Sequence, residues 1–341
     1  MTDQPSIEDI TAVQELMFPS AAQSIRVVAE LGIADLLVDG PLPIGELAAK
    51  AGAAARPLSG ALRVLTVEGV FAEPTPGVFA NTTRSHLLRQ GVPDSQFVMS
   101  GLGASDWLWA SYGALGHSVR TGAPAFPKVY DTHLWAWLGQ HPEQARQFND
   151  AMNEFSNTLG PRIVASYTEF AKAGVVADLG GGIGTYLTNI LQAYPSVERG
   201  VLVDQPSVIE QAKARTDIAP LVRDGRLGFF PGDFFADVPT GIDLYVTKQI
   251  THSWSDEKLV SLLKRCRDAS PTAGIAAAEL VQTKDAPRFV RHFDVMMYVT
   301  MAGFLRTAEE YAELFGQAGY ELTRVVPTDT AFSIIEAVPA D

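Results

Sequence analysis

A single cysteine, Cys266, in 341 residues excludes an intrachain disulfide and any zinc site built on thiolates, and it suits a reducing compartment. Such a cysteine is expected as a small buried apolar side chain rather than a nucleophile. Positive charge is also short. The 26 Lys and Arg stand against 39 Asp and Glu, and the resulting net charge of −13 repels polyphosphates, so no nucleic-acid partner is expected. No apolar run approaches the ~20 residues of a membrane span. The N-terminus MTDQPSIEDI is acidic where a leader would be basic and then apolar, so no membrane partner and a cytoplasmic location are expected. The six histidines show no chelating spacing with carboxylates, which argues against a metal.

Charged residues at 19% and hydrophobic residues at 47% describe a folded chain, and its length predicts two domains or one large one with an appendage. From Ser6 onward apolar residues recur at helical spacing through Ile10, Val13, Leu16 and Met17, a face that needs a partner. Residues 44–51 and 57–68 read as two short helices, followed by a hairpin around the turn EPTPG. This unit resembles a winged helix-turn-helix, yet its second helix offers only Arg56 and Arg63 to a phosphate backbone. A homodimer through residues 1–102 is the expectation. Residues 103–165 continue as helices, with Phe148, Met152 and Phe155 on one face, as core or as the lining of an apolar ligand pocket.

After Gly174 short apolar runs alternate with helical stretches, the pattern of a doubly wound, largely parallel α/β sheet over 166–341. The first run enters Asp178-Leu179-Gly180-Gly181-Gly182-Ile183-Gly184, where glycines let backbone approach a ligand at the carboxyl end of a strand. A dinucleotide fingerprint on Gly180 and Gly182 would find Thr185 in its third glycine position, and Asp178 would face a pyrophosphate. A cofactor with a cationic amino-acid end and no phosphate, S-adenosylmethionine, suits the loop better. Asp204 ends the second strand, where a carboxylate can accept ribose hydroxyls of either cofactor. Gly232, Asp233 and Phe234 end the third, for an adenine, with Asp233 as a plain turn residue the alternative. Lys248, His252 and Trp254 leave the fourth and Glu279 the fifth, all at one edge. There His252 is a structural histidine or a base for a phenol, and Trp254 is core or an adenine stack.

With these motifs in order, the chain resembles the class I S-adenosylmethionine-dependent small-molecule O-methyltransferases, which include plant caffeate and flavonoid enzymes and bacterial polyketide- and phenazine-tailoring enzymes. The resemblance rests on D-x-G-G-G-x-G at Asp178 to Gly184, V-D-x-P at Val203 to Pro206, G-D-F-F at Gly232 to Phe235, K-x-x-x-H-x-W at Lys248 to Trp254, Glu279, and R-T at Arg306 and Thr307. It implies a C-terminal Rossmann-like sheet behind an N-terminal winged-helix-like dimerisation domain. It further implies that Gly180, Asp204, Asp233, Phe234 and Lys248 hold the cofactor, that His252 is the base with Glu279 holding it, and that Met152, Asp294, Met297 and Met301 line the acceptor pocket. The expected acceptor is an aromatic or polyketide-like hydroxyl. Two positions depart from the family: Ser253 follows the histidine where an aspartate is usual, and Leu305 stands where an acidic residue often precedes R-T. They leave open N- or C-methylation, or a non-methylating hydroxylation or pericyclic step on the same cofactor.

Overall fold

The computed structural model describes residues 5–301 and 303–341, which divide into two units. One takes the chain up to Trp109 together with Glu143–Glu154; the other takes Ala110–Pro142 and Phe155–Asp341. In the first, the helices Ser20–Glu30, Ile44–Ala51 and Ala55–Val67 bury one face each through Val28, Leu47, Leu58, Leu62 and Leu65. Strands β1 (Leu42–Pro43), β2 (Phe71–Thr75) and β3 (Val78–Asn81) form an antiparallel sheet ordered β1-β3-β2, with Phe71 and Phe79 in the same core. The β2–β3 turn is Pro76-Gly77, where φ of +79° requires glycine. Glu73 braces it, accepting from the Gly77 N–H and from the guanidinium of Arg63. The two helices and the hairpin expected from sequence are present, and Arg63 is committed within the unit.

The helix Ile7–Leu16 begins with a capping box between Ser6 and Asp9 but buries no residue of its own. Ile7, Val13, Leu16, Met17 and Phe18 all stand exposed, so among the described residues nothing covers the apolar face seen in the sequence.

In the second unit, β4 (Val175–Leu179), β5 (Arg199–Asp204), β6 (Leu227–Pro231), β7 (Leu244–Lys248), β8 (Gly274–Glu279), β9 (Tyr320–Pro327) and β10 (Ser333–Pro339) form one sheet ordered β6-β5-β4-β7-β8-β10-β9. Strands β4 to β8 are parallel and nearly continuous apolar runs, because helices cover both faces. The order reverses at β4, which lies between β5 and β7, and this opens a crevice beyond the carboxyl ends of those strands. The sequence pattern foretold five parallel strands; β9 and β10 add an antiparallel hairpin. Five residues join them, too few for a parallel crossover, and β10 enters beside β8 with Ile334 opposite Ala278. Cys266 is fully buried under this sheet and burial pushes its thiol up to about 12, as expected of a structural cysteine. Among the described residues no helix is long and apolar enough to cross a membrane.

The uncovered face of Ile7–Leu16 gives an expected outcome. By light scattering the protein should show twice the 36.7 kDa of one chain, and a Leu16→Asp, Phe18→Asp double substitution should bring it to the single-chain mass with an unchanged far-UV circular dichroism spectrum. A double variant that keeps the dimer mass places the interface elsewhere.

Candidate functional site

Where β4 ends, Gly180, Gly182 and Gly184 all adopt positive φ, between +60° and +87°, and turn the chain into the helix Thr185–Ala193. The turn is crowded on its inner side. A Cβ at Gly180 would lie 2.6 Å from Ile250 and 3.3 Å from Phe234, and one at Gly181 would strike the Asp178 carboxylate. At Gly182 it would meet nothing within 4 Å, so the turn presents open space there. Asp204, at the end of β5, fixes this shape: its Oδ2 accepts from the Gly182 N–H at 2.8 Å and its Oδ1 from the Gln205 N–H at 2.7 Å. Burial raises its carboxyl, and those two hydrogen bonds oppose the rise. Each oxygen keeps acceptor capacity for a ligand hydroxyl. Arg215 holds the far side of the turn, donating to the Ile183 carbonyl and the Thr185 hydroxyl, both at 2.9 Å.

Asp178 contrasts with this. It is 1% exposed, and among the described residues its carboxylate oxygens find no partner beyond a weak contact to the Leu187 N–H. Burial pushes its carboxyl up to about 7; Lys248 opposes the rise and Asp204 adds to it. Lys248, at the end of β7, is pulled down to about 8 by desolvation, against the charges of Asp178 and Glu279. Its ammonium donates to Gln249 Oε1 at 2.9 Å and lies 5.9 Å from the Phe155 ring centre. Gln249 itself has φ of +60°, unusual for a side chain of its size, at the point where β7 breaks into the next turn. A buried, poorly compensated carboxyl beside an open glycine turn fits a ligand that brings its own cation.

Beyond Gln249 the short 3-10 turn Thr251–Ser253 carries His252, 3% exposed. Its Nδ1 lies 2.5 Å from Glu279 Oε2, and Glu279, fully buried at the end of β8, uses Oε1 to accept from the Ile250 and Thr251 N–H groups at 2.9 and 2.7 Å. Burial alone would raise the Glu279 carboxyl; the imidazole and these hydrogen bonds prevail and hold it below its ordinary value. With Nδ1–H donated to a carboxylate, the tautomer leaves Nε2 as the proton acceptor. The Phe293 ring meets the imidazole edge-on, 5.3 Å between centres at 86°.

The remaining sequence candidates are placed as follows. Gly232 donates to the Asp204 carbonyl, and Asp233 accepts from the Phe235 N–H at 2.9 Å, which gives it the turn role held as the alternative. Phe234 lies close to Gly180, and Trp254 packs edge-on to Phe235 with the Lys258 ammonium 4.6 Å from its ring centre. On the helix Arg288–Thr300, Met297 is buried and Met301 follows half-buried, while both Asp294 oxygens are engaged, by the Gln282 amide and the Leu305 N–H. Phe148 and Met152 belong to the first unit. Sequence reasoning missed Phe293, although Phe289, Phe293 and Met297 recur every four residues, the spacing of one helical face. It also missed Arg306 as a partner of the histidine turn. Among the described residues no group of three or more His, Cys, Asp or Glu is gathered for a metal ion.

Residues 112–321 match the O-methyltransferase domain, and residues 15–91 the O-methyltransferase dimerisation domain. A phenazine O-methyltransferase of Lysobacter antibioticus is 39% identical over 322 residues, 93% of this chain and 92% of that protein. An 8-amino-8-demethylriboflavin N,N-dimethyltransferase of Streptomyces davaonensis is 33% identical, over 91% and 89%. The solved structure of a methyltransferase of calicheamicin biosynthesis, in its SAH-bound form, is similar with a TM-score of 0.88 and 31% identity, covering 99% of this chain and all of that one.

The raised Asp178 carboxyl sets a pH signature. Its folded value of about 7 exceeds the ordinary 3.8, so between these limits the folded state binds the extra proton and stability falls as pH rises. Asp178→Asn removes this dependence. Its melting temperature relative to wild type should therefore climb between pH 4 and about 6.5; a flat difference would mean that Asp178 ionises normally in the fold.

Proposed function

Since the chain belongs to the O-methyltransferase family, we propose that it methylates a hydroxyl of an aromatic or polyketide-like small molecule of bacterial secondary metabolism, with S-adenosylmethionine as donor and His252 as base. The observation that carries the assignment of the base is the buried imidazole fixed through Nδ1 by Glu279. S-Adenosylmethionine, when bound, supplies an electrophilic methyl group on a sulfonium. Asp178 is the counter-charge for its cationic amino-acid end, Gly180 and Gly182 offer it backbone, Asp204 is its ribose partner, Gly232, Asp233, Phe234 and Trp254 border its adenine, and Lys248 meets its far edge through backbone. His252 Nε2 takes the proton of the acceptor hydroxyl, and Glu279 steadies the imidazolium that results. Phe293 bounds the acceptor beside the imidazole, with Met297, Met301 and Asp294 on the same helix and its continuation. The aromatic acceptor class is that named for the relatives, among them the phenazine enzyme. The enzyme works as a homodimer through its dimerisation domain, in the cytoplasm, without nucleic acid, membrane or metal.

Methylation at nitrogen is the second reading, favoured by Leu305 in place of a second carboxylate near the base and by the riboflavin-analogue relative.

Calorimetry with S-adenosylhomocysteine, followed by incubation with S-adenosylmethionine and a panel of phenols, hydroxynaphthoic acids and aromatic amines, tests both readings. Binding together with the mass gain of one methylene on a hydroxyl is the expected result. His252→Ala should then lower turnover about 10²- to 10⁴-fold while S-adenosylhomocysteine affinity stays within about twofold. An unchanged rate would remove the base, and gain only on amines would favour the second reading.

A further inference from the structure

The turn that carries His252 is three residues of 3-10 helix, too short to hold its own geometry, and Gln249, two residues before it, lies in the left-handed region. What fixes it comes from elsewhere in the chain. Arg306 is completely buried and spans the turn: its Nη1 donates to the Thr251 carbonyl at 2.8 Å and its Nη2 to the Trp254 carbonyl at 2.8 Å, one residue before His252 and two after it. The same guanidinium closes on Asp256 Oδ1 from Nε and Nη2, at 2.9 and 2.7 Å, with the Phe304 ring 4.6 Å away. Tyr311 adds a hydroxyl contact to Thr251 at 2.7 Å. A Cβ at Gly303 would run into the His252 carbonyl, so the chain just before Arg306 passes directly against the turn.

Arg306 is itself anchored on the acceptor side. The Leu305 N–H donates to Asp294 Oδ1, the Gln282 N–H donates to the Arg306 carbonyl, and the Gln282 amide donates to Asp294 Oδ2, at 2.9, 2.9 and 2.8 Å. This closed ring joins the helix Arg288–Thr300, which carries Phe293, to the strap of chain that holds the base. We propose that Arg306 is a positioning residue that sets the imidazole of His252 against Glu279, and that Asp294 and Gln282 transmit the position of the Phe293 helix to it. The proposal rests on His252 being the base. Lysine cannot replace this arginine, because a point charge reaches one carbonyl where the planar fork reaches two carbonyls and a carboxylate.

The test uses the cofactor-free 341-residue chain and the ¹⁵N-resolved NMR signal of the His252 Nδ1 proton, assigned by its loss in His252→Ala. In wild type this proton should be hydrogen-bonded and slow to exchange. Arg306→Lys should speed its exchange about tenfold or more, as expected for loss of charged hydrogen bonds at a local opening, while S-adenosylhomocysteine affinity stays within about twofold. Asp256→Asn, altering a half-exposed side chain at the edge of the cluster, should speed it several-fold and supports or overturns the idea by itself should Arg306→Lys not fold. Unchanged exchange in the folded variants, even with a lower melting temperature, makes Arg306 merely structural and overturns the proposal; so does a wild type without the slow proton. Loss of S-adenosylhomocysteine binding by wild type would instead strike the methyltransferase function and leaves the proton readout intact.

Discussion

A carboxylate removed from water at the end of a buried strand has to be answered by charge or by hydrogen bonds, and this constraint organises the sheet edge. β5, β4 and β8 end or nearly end in Asp204, Asp178 and Glu279, and each is answered differently. Asp204 takes two backbone N–H groups and thereby shapes the glycine turn. Glu279 takes two backbone N–H groups and an imidazole, and so determines both where the His252 ring sits and which of its nitrogens is free. Asp178 has the field of Lys248 and a backbone hydrogen bond from Leu187, which together do not offset its burial, so its carboxyl stays raised. The shape of the glycine turn, the orientation of the His252 ring and the raised Asp178 carboxyl thus follow from how three buried acids are satisfied.

Sequence made the strand ends visible because continuous apolar runs, then glycine or a lone acid, are a local pattern. Asp178, Asp204, Lys248, His252 and Glu279 were found in this way, and the structure gathers them on one edge. The β9–β10 pair was not legible: β9 alternates like a solvent-facing strand, and that β10 lies inside β9 is a matter of pairing partners, which spacing along the chain does not encode. Arg306 was visible only as half of a short motif. Its role depends on carbonyls more than fifty residues away and on Asp256, none of which has a periodic or compositional trace. Asp294 is the converse, an acid in a helix near the expected pocket whose oxygens turn out to be engaged by Gln282 and Leu305.

Methyl transfer from a sulfonium is a direct displacement, so alignment carries most of the catalysis and a base matters to the extent that the nucleophile holds a proton. A neutral aromatic amine attacks with its own lone pair and sheds its proton afterwards; a phenol has to lose its proton as the new bond forms. A frame that fixes the cofactor edge rigidly therefore serves both acceptor types, and what separates them is the basicity and orientation of one imidazole. Among the described residues that imidazole is hydrogen-bonded to one carboxylate, Glu279, while Leu305 is a buried apolar side chain whose N–H, not its side chain, enters the hydrogen-bond network. The orienting work done elsewhere by a second acid falls here to backbone carbonyls gripped by Arg306, which constrain direction without adding negative charge.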